Sequence, residues 1–566
     1  MSEQKTHLTS TWQLVKAYWQ SEEKVSAYLY LIAVVLLTIF LVALTLVNTI
    51  WIKYFWNALQ QYNGHMIVKL LLLFCVLAAV LIFAGVYRYY LSSVFVLRWR
   101  QWMTKTLTRH WLQPQHYYYL ENFDGHMPDN PDQRIQEDID LFTTNTTALA
   151  TGVIDAVTTL IIFSATLWVI SGPIKIPLGS LGSFTIHGYL FWIALVYSIG
   201  GTYLTHLIGR PLIKLNFLKQ KKEADFRFRA VRVRNNAENI ALYHSENSET
   251  NSLLDNFKHV VSITFDVIKR QKILLYFTIG FNQISSIIPL CAALPMYFAK
   301  KIGIGGIQQI MMLFGNVQNA FSFIVTSYST IAAWRATCQR LIGFSERLEK
   351  VQHLKDENWQ VDIQQHDQSF IGGERLSINT QQGKHLFENL DIKFEQGKHC
   401  LLTGPSGLGK TTLIRTIAGI WPFAHGTVKL PASQRIMYIP QRVYLPLGTL
   451  KEAILYPGDE SITDDAITEL LKDVGLETLV KDLDVRKNWS DALSIGEQQK
   501  IAFVRIILQK PDWVFLDEST SSLDLQSEAR LYHLLKEKLP HCTIVSVGHR
   551  ASVKDFHDVE LNLAMA

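Results

Sequence analysis

Nine residues, GPSGLGKTT, have the types and spacing that hold phosphate groups. They follow an apolar run at 399–403 and open a helical pattern, LIRTIAGI, so that a strand, a loop and a helix succeed one another. The glycines let backbone N–H groups approach phosphate oxygens, and the helix N-terminus adds partial positive charge. The lysine side chain can bind the β- and γ-phosphates, and the hydroxyl group of the threonine after it can bind Mg²⁺. The pattern predicts a nucleoside triphosphate site formed by Gly404, Pro405, Ser406, Gly407, Leu408, Gly409, Lys410, Thr411 and Thr412.

Two carboxylates end an apolar strand pattern further along the chain, WVFLDE. Asp517 is placed to hold Mg²⁺, directly or through water, and Glu518, one residue later, is placed to polarise the attacking water. Adjacent carboxylates at a strand end also occur as ordinary solvated loop residues. Their position after a buried strand in a chain with a phosphate loop favours the catalytic interpretation.

The segment LSIGEQQK lies between these two motifs and precedes a helical run, IAFVRIIL. Ser494 and Gly496 fall where a helix begins, so a hydroxyl, backbone N–H groups and the helix dipole form a second anion site. A simple helix cap would show the same residues.

The order of phosphate loop, LSIGEQ and acidic strand resembles that of ABC transporter ATPases. LSIGEQ resembles the LSGGQ signature of this family, with Ile495 at the first glycine position. The resemblance implies that the nucleotide is ATP and the metal is Mg²⁺. It also implies nucleotide contacts from the signature residues, which are Ser494, Gly496, Glu497 and Gln498.

Three further landmarks of that family fall in order. Gln441, in YIPQRVYLPLGTL, resembles the Q-loop glutamine, which implies that it joins Thr411 and Asp517 around Mg²⁺ and adjoins the contact with the membrane domain. Residues 521–524 resemble the D-loop, and His549 is similar to the switch histidine that contacts the γ-phosphate. The aromatic residue on which this family usually stacks adenine has no counterpart in residues 378–382.

A single phosphate loop and a single signature have a consequence for assembly. In ABC proteins the signature of one domain closes over the nucleotide held by the phosphate loop of the other domain. The resemblance therefore implies a half-transporter that works as a homodimer with twelve spans and two ATP sites. Asp524 of the D-loop would help to signal across that interface.

Composition separates the chain into two parts near residue 340. Residues 27–340 are rich in Leu, Ile, Val and aromatic residues, whereas the last 200 resemble a soluble α/β protein. The net charge of +5 gives no case for nucleic-acid binding, because the basic residues follow membrane topology. The five cysteines lack CxxC spacing, so buried thiols are expected rather than disulfides or metal ligands. The first apolar run is too long for a cleaved signal peptide.

Six apolar segments are long enough to cross a bilayer core of about 30 Å. The two long loops, 98–146 and 210–272, carry many more Lys and Arg residues than the short loops between the other spans, so the long loops, both termini and the ATPase part are predicted to be cytosolic. The predicted spans are Tyr28–Ile52, Ile67–Leu91, Ala148–Ile170, Tyr189–Gly209, Leu274–Ala299 and Gln309–Ala333.

The predicted fold class is a membrane α-helical domain with six transmembrane helices, plus an α/β P-loop nucleotide-binding domain. The resemblance implies the exporter-type ABC fold, in which the long loops are helical extensions tipped by coupling helices. The predicted boundaries are 1–340 for the membrane domain, 341–370 for a linker and 371–566 for the ATPase domain.

Two segments in the long loops narrow the family. NPDQRIQED at 130–138 and the stretch 225–240 are similar to segments of peroxisomal fatty-acyl transporters and of bacterial SbmA/BacA-type proteins. An Asn-Pro turn that begins a helix explains the first segment structurally and is compatible with a coupling role. The bacterial branch implies an inner-membrane location and uptake of large hydrophilic compounds, including peptide antibiotics and cobalamin.

Polar residues within the spans favour a water-filled path, although helix–helix hydrogen bonds would explain them singly. Five of them on the last span, at spacings of 7, 3, 7 and 4, share one helical face. Asp155 could alternatively relay protons. The last-span residues are Gln309, Asn316, Asn319, Thr326 and Thr330, and the others are Asp155, Thr202, Thr205, His206, Asn282 and Gln283.

The sequence therefore predicts an ATP-driven homodimeric transporter for peptides or other sizeable hydrophilic solutes, with import as the preferred direction. Its predicted partners are a second copy, membrane lipid and the transported solute. One rival is a lipid or acyl-CoA carrier. The other rival is a membrane-anchored regulator that uses ATP without net transport.

Overall fold

The computed structural model describes residues 10–123, 130–177, 183–358, 360–458, 462–548 and 550–563. It divides into unit 1, residues 1–112 and 126–347, and unit 2, residues 113–125 and 348–566. The helices up to the unit boundary are α1 Thr11–Trp19, α2 Lys24–Gln60, α3 Gly64–Trp111, α4 His116–Phe123, α5 Pro131–Gln133, α6 Ile139–Ser171, α7 Tyr189–Asn235, α8 Ala237–Leu242, α9 Glu246–Phe298, α10 Ile304–Thr326 and α11 Tyr328–Asn358.

Six helical stretches of 37 to 53 residues are apolar enough to cross a membrane. At about 1.5 Å per residue they reach roughly 55–80 Å, so each extends well beyond a bilayer core of about 30 Å. All six predicted spans fall on these stretches, which confirms the predicted class of fold. The last span is interrupted between α10 and α11 at Ser327, although Ser327 N still donates to Phe323 O at 2.9 Å.

Helix α10 lies at the centre of unit 1, where it packs against α2, α6, α7 and α9. Its buried face carries Ile310, Leu313, Phe314 and Val317. Side chains of α2 cap its first turn, because Gln60 Oε1 accepts from Ile304 N and Asn57 Oδ1 accepts from Gly305 N, both at 3.0 Å. These bonds satisfy N–H groups that have no partner inside the helix.

A two-stranded hairpin joins α6 and α7, between the third and fourth predicted spans. Strand β1, Pro173–Pro177, pairs antiparallel with strand β2, Ser183–His187. The expectation of buried thiols is correct for Cys338, Cys400 and Cys542, which are free and buried. It is wrong for Cys75 and Cys291, which are free but lie exposed on membrane-spanning helices.

The segment that resembled NPDQRI forms an ion-pair cluster within unit 1. Pro131 begins α5, and a π-helical turn, Arg134–Asp138, continues it into α6. Asp138 is 1% exposed and accepts hydrogen bonds from the guanidinium groups of Arg134 and, on α11, of Arg340. Nearby, Arg100 of α3 donates to Asp140 at 2.9 Å. The cluster fastens the start of α6 to both α3 and α11.

Unit 2 contains the remaining elements, and its first strand begins at Gln360, inside the segment predicted as a linker. Its strands are β3 Gln360–His366, β4 Phe370–Asn379, β5 His385–Glu395, β6 Cys400–Thr403, β7 Ala424–Pro431, β8 Ile436–Ile439, β9 Gly448–Thr449, β10 Arg486–Lys487, β11 Trp513–Asp517, β12 Thr543–Val547 and β13 Val559–Asn562. Its helices are α12 Lys410–Ile417, α13 Leu450–Leu455, α14 Asp464–Asp473, α15 Trp489–Ala492, α16 Ile495–Gln509 and α17 Leu525–Lys538.

The sheet that positions the site is five-stranded and parallel, in the order β13-β6-β12-β11-β8. Strands β11 and β12 are fully buried, as expected of central strands in a parallel sheet. A second sheet, β3-β7-β4-β5, is mostly antiparallel. Because parallel strands end at the same edge, the segments that follow β6, β8, β11 and β12 meet there.

Candidate nucleotide-binding site

The loop between β6 and α12 has the backbone of a phosphate cradle. Gly404, Gly407 and Gly409 have φ values of 145°, 80° and 105°, which side-chain-bearing residues rarely adopt. A Cβ on Gly409 would also lie 3.0 Å from Leu386 and 3.1 Å from Phe387. Leu408 is buried and anchors the loop, while the tip residues, 405 to 407, are exposed. The exposed loop tip lies directly before the N-terminus of α12.

Lys410 occupies the first turn of α12 and is 5% exposed. Its ammonium group donates to Gly404 O at 2.8 Å and to Pro405 O at 3.0 Å. Burial lowers the pKa of Lys410, and the nearby carboxylates of Glu518 and Asp517 oppose that shift. The ammonium is therefore held inside the loop by carbonyl oxygens.

Thr411 and Asp517 meet although they are 106 residues apart in the chain. The Thr411 hydroxyl donates to Asp517 Oδ1 at 3.0 Å. Burial raises the pKa of Asp517, and the Thr411 hydrogen bond opposes this rise. A hydroxyl and a carboxylate side by side are oxygen ligands of the kind that Mg²⁺ prefers, so the residues present fit this ion.

Gln441 and Glu518 form a second contact at the same edge. Gln441 Nε2 donates to Glu518 Oε2 at 2.9 Å. Glu518 has φ of 47°, an uncommon conformation for a residue with a side chain, and its N–H donates to Val547 O at the end of β12. Strain of this kind is often stored at functional sites. His549, which follows β12, lies outside the described residues.

The signature residues form a capping box at the start of α16. Ser494 Oγ accepts from Glu497 N at 3.3 Å, and the Glu497 carboxylate accepts from Ser494 N at 2.8 Å. Gln498 donates to Ser490 O and Leu493 O, so its amide N–H groups bind the preceding loop. The predicted helix cap is therefore present, and Ile495 is exposed.

Asp524 caps helix α17. It accepts from Ser527 N at 2.8 Å and from Ser527 Oγ at 2.7 Å, and these hydrogen bonds lower its pKa. Gly496 packs against the D-loop, because a Cβ there would lie 3.3 Å from Ser522 O. Within the described part of the chain, no hydrogen bond or ion pair joins residues 494–498 to residues 404–412. The predicted site residues thus form two groups, one at the sheet edge and one around the signature.

Helix α4 makes contacts within unit 2 that no motif in the sequence predicted. Helix α4 belongs to unit 2, where Gln115 Nε2 donates to Gly419 O at 2.9 Å. The Phe123 ring packs edge-on against Trp421, with centroids 5.4 Å apart. Tyr119 adds a hydrogen bond to Ile420 O at 3.3 Å. The sequence feature that could have indicated this contact is the IWPF run at 420–423, which begins shortly after α12 ends.

The polar residues of the spans have varied surroundings. On α10, Gln309 is buried while Asn319 is exposed, so the predicted stripe passes from the interior of unit 1 to its surface. Asn316 Nδ2 donates to Met312 O at 2.8 Å, and Ser285 of α9 bonds Gln318. Thr330 lies beyond the interruption at Ser327. The Asn316 bond lies within α10, and the bond between α9 and α10 joins two residues outside the predicted set, so neither bond supports the helix-packing alternative for the predicted residues, and the exposed ones leave room for a path. The other predicted polar residues are at least partly exposed. Those that are partly exposed are Asp155, Thr202, Thr205 and His206, and those that are exposed are Asn282, Gln283 and Thr326.

Comparison with protein families gives two matches. Residues 14–298 match the family described as ABC transporter transmembrane region 2, and residues 387–521 match the family described as ABC transporter. The first match covers half of the chain, and the second contains the phosphate loop, the signature and the acidic strand end.

Individual relatives agree with these matches. The inner membrane ABC transporter ATP-binding protein YddA of Escherichia coli is 32% identical over 96% of this chain and 95% of its own. The chloroplastic ABC transporter D family member 2 of Arabidopsis thaliana is 31% identical over 100% of this chain and 87% of its own. A solved structure of a bacterial Atm1-family ABC exporter with ATP bound superposes with a TM-score of 0.70 at 16% identity, covering 95% of both chains.

Proposed function

Because this chain belongs to the ABC transporter family, whose ATPase drives transport across a membrane, we propose that it works as a homodimer that imports sizeable hydrophilic solutes such as peptides. The proposal places it in a bacterial inner membrane with its ATPase domain and both termini in the cytosol. Six long apolar helices and the inner-membrane relative support this location.

One observation carries the ATPase assignment. Two contacts, Thr411 with Asp517 and Gln441 with Glu518, join segments that lie 106 and 77 residues apart at one edge of the parallel sheet. That edge also holds the glycine-rich loop before α12. A structural turn would need the loop alone, whereas triphosphate hydrolysis needs the loop, a metal ligand pair and a carboxylate for water together.

Within the proposed site, backbone N–H groups of residues 406–409 bind phosphate oxygens, and the Lys410 ammonium moves from the loop carbonyls to the β- and γ-phosphates. Thr411, Asp517 and Gln441 would hold Mg²⁺, which supplies positive charge beside the phosphates. Glu518 orients or deprotonates the attacking water, and Gln441 holds that carboxylate in place. By its resemblance to the switch histidine, His549 would contact the γ-phosphate.

The separation of the site residues into two groups supports the homodimer part of the proposal. The signature binds the D-loop of its own chain, and its exposed Ile495 and Ser494 face away from the protein interior. A second copy would supply this surface to the nucleotide on the phosphate loop. The ATP-bound exporter fold with a TM-score of 0.70 supports the arrangement.

Replacing Glu518 by glutamine tests the ATPase assignment. The E518Q variant should bind ATP as the parent does but lose at least about 100-fold in hydrolysis rate, because the amide cannot accept a proton. E469Q, a carboxylate that pairs with Lys538 on the surface, is the matched control and should hydrolyse ATP normally. Hydrolysis by E518Q at the parent rate would remove Glu518 from the mechanism.

Transport itself is tested in proteoliposomes with the ATPase domain facing outward. ATP-dependent efflux of a labelled peptide from the lumen to the medium, abolished by E518Q, corresponds to import in the cell and supports the proposal. Movement into the lumen would reverse the proposed direction. ATP hydrolysis without movement of peptides, cobalamin or lipid would favour the regulator.

A lipid or acyl-CoA carrier is the second candidate, and one observation favours it. A notch of about 250 Å³ between α2 and α3 is lined mainly by apolar side chains, including Leu44, Phe74 and Leu81. Its one polar lining residue is Asn48. Stimulation of ATP hydrolysis by acyl-CoA but not by peptides, together with loss of this stimulation in L81W, would decide for this candidate.

A further inference from the structure

Two cavities follow one another along the seam between helices α2 and α3. The first is the notch of about 250 Å³, whose lining includes Leu44 and Asn48 of α2 and Leu81 of α3. The second has a volume of about 470 Å³ and is lined in part by Trp56 and Tyr62. Because a short turn at 61–63 joins the two helices, the second cavity lies nearer that turn than the notch does.

Asn48 carries an amide group without a partner in the described part of the chain. No hydrogen bond reaches its side chain, which is partly exposed in the notch. By contrast, Thr38, Thr45 and Thr49 on the same helix all donate to backbone carbonyl groups. A polar group in the hydrocarbon region of a membrane is costly unless it forms a hydrogen bond. A bound molecule that brings a polar atom to this depth would satisfy the amide.

Aromatic residues place Asn48 close to a membrane surface. Trp51, Tyr54 and Trp56 follow it within eight residues, and Trp and Tyr side chains concentrate where the hydrocarbon core meets the headgroups. At 1.5 Å per residue, Asn48 lies roughly 5 Å below Trp51 and roughly 12 Å below Trp56 along the helix. A phospholipid has its ester groups at the edge of the core and its headgroup further out. Asn48 therefore lies at the depth of the ester groups and Trp56 at the depth of the headgroup.

The second cavity has the chemistry to hold a zwitterionic headgroup. The rings of Trp56 and Tyr62 are 37% and 95% exposed, and the faces of such rings bind ammonium groups. Gln60 Oε1 accepts from Ile304 N, which leaves the Gln60 Nε2 group free to donate to a phosphate oxygen. No charged side chain is among the described residues that line either cavity, which favours a headgroup without net charge over an anionic one.

We propose that the seam of α2 and α3 binds one phospholipid with a zwitterionic ammonium headgroup, such as phosphatidylethanolamine. One acyl chain fills the notch, an ester carbonyl accepts from the Asn48 amide, and the ammonium group lies against Trp56 and Tyr62. The lipid is a resident of the protein rather than its cargo, so the site is separate from that of the transported solute. In the proposed orientation the lipid belongs to the outer leaflet.

Native mass spectrometry of the full-length protein tests the site. The protein is purified in mild detergent and supplied with equal amounts of phosphatidylethanolamine and phosphatidylglycerol that carry the same acyl chains. The parent should retain one phosphatidylethanolamine per chain. L81W should weaken retention more than about tenfold, because it expels two or more methylene groups and each buried methylene contributes a factor of about four. L72W is the matched control, since Leu72 is 65% exposed and lies outside the notch.

Two further measurements separate the headgroup from the acyl chain. W56A should weaken binding of phosphatidylethanolamine about two- to fivefold, the factor expected for an exposed cation–π contact, and leave that of phosphatidylglycerol unchanged. N48L should weaken both lipids equally. Phosphatidylethanolamine with a photoreactive acyl chain should label residues 74–82 in the parent and in L72W but not in L81W.

Several results would overturn the inference. They are equal retention of the two lipids by the parent, parent retention in L81W, or detergent retained in place of lipid. Absence of photolabel from the seam would mean that a second copy or another surface covers it. Release of the lipid only when ATP is hydrolysed would make it cargo and favour the lipid carrier, whereas equal retention with and without ATP supports a resident lipid.

Discussion

Replacing Asp138 by alanine should destabilise unit 1 far more than replacing Asp140, two residues later. The Asp138 carboxylate is buried and binds Arg134 and Arg340, whereas the side chain of Asp140 is 45% exposed where it pairs with Arg100. Removing one partner of a buried ion pair costs about 3–5 kcal/mol, because the remaining charge is left without compensation. An exposed pair contributes only about 0–1 kcal/mol.

The exposure of the two arginines determines how much stability D138A is expected to lose. The Arg340 side chain is 38% exposed and can turn toward water, but that of Arg134 is only 14% exposed. The lower end of the range therefore applies, about 3 kcal/mol for D138A. With a shift of about 2–4 °C for each kcal/mol, D138A should lower the unfolding temperature by about 6–12 °C, and D140A by less than about 4 °C.

Tryptophan fluorescence of the full-length protein during heating in one detergent measures both variants. D138N separates charge from volume, since the amide fills the same space but leaves two guanidinium groups unneutralised, and it should unfold nearly as early as D138A. Unfolding of D138A and D140A within 2 °C of each other would refute the reasoning from buried charge.

Three other predictions concern unit 2. Burial lowers the pKa of His557 to about 4, below the value of about 6.5 in an unfolded chain. The stability that neutral His557 contributes is therefore complete above pH 6.5 and is lost as the pH falls toward 4. The unfolding temperature of H557Q should consequently depend less on pH over this range than that of the parent protein. G409A should abolish nucleotide binding, measured by fluorescence titration, because φ of 105° and the contact with Phe387 exclude a Cβ, while G397A, also at positive φ but at the opposite end of β6 from the phosphate loop, should bind normally. F123A should remove about 1–3 kcal/mol of packing against Trp421 and reduce transport more than ATP hydrolysis, and equal losses in both assays would contradict a role in coupling.

The sequence predicts local structure and chemistry well where a single motif contains all the residues that determine them. The glycine spacing of the phosphate loop, the apolar strand before Asp517 and the six apolar runs each specify a structure without knowledge of distant residues. The parallel sheet then explains why Gln441 and Glu518 meet, although no sequence pattern states their distance.

Contacts between distant, individually ordinary residues could not be predicted in this way. Gln115 meets Gly419 across 304 residues, and Arg340 meets Asp138 across 202. Arg550 and Gln499 are unremarkable in sequence until the D-loop lies between them.

Helix α12 has a consequence for how the protein can be regulated. Its first residue, Lys410, belongs to the phosphate loop, and the residues just after its last turn, Gly419 to Trp421, form the seat of α4. The helix is only eight residues long, about 12 Å, and five of its eight residues are buried. Because helix α12 is short, a displacement of one end also displaces the other end. A displacement of α4 is therefore transmitted along α12 to the phosphate loop, so a contact far from that loop can alter it without changing any residue of the loop itself.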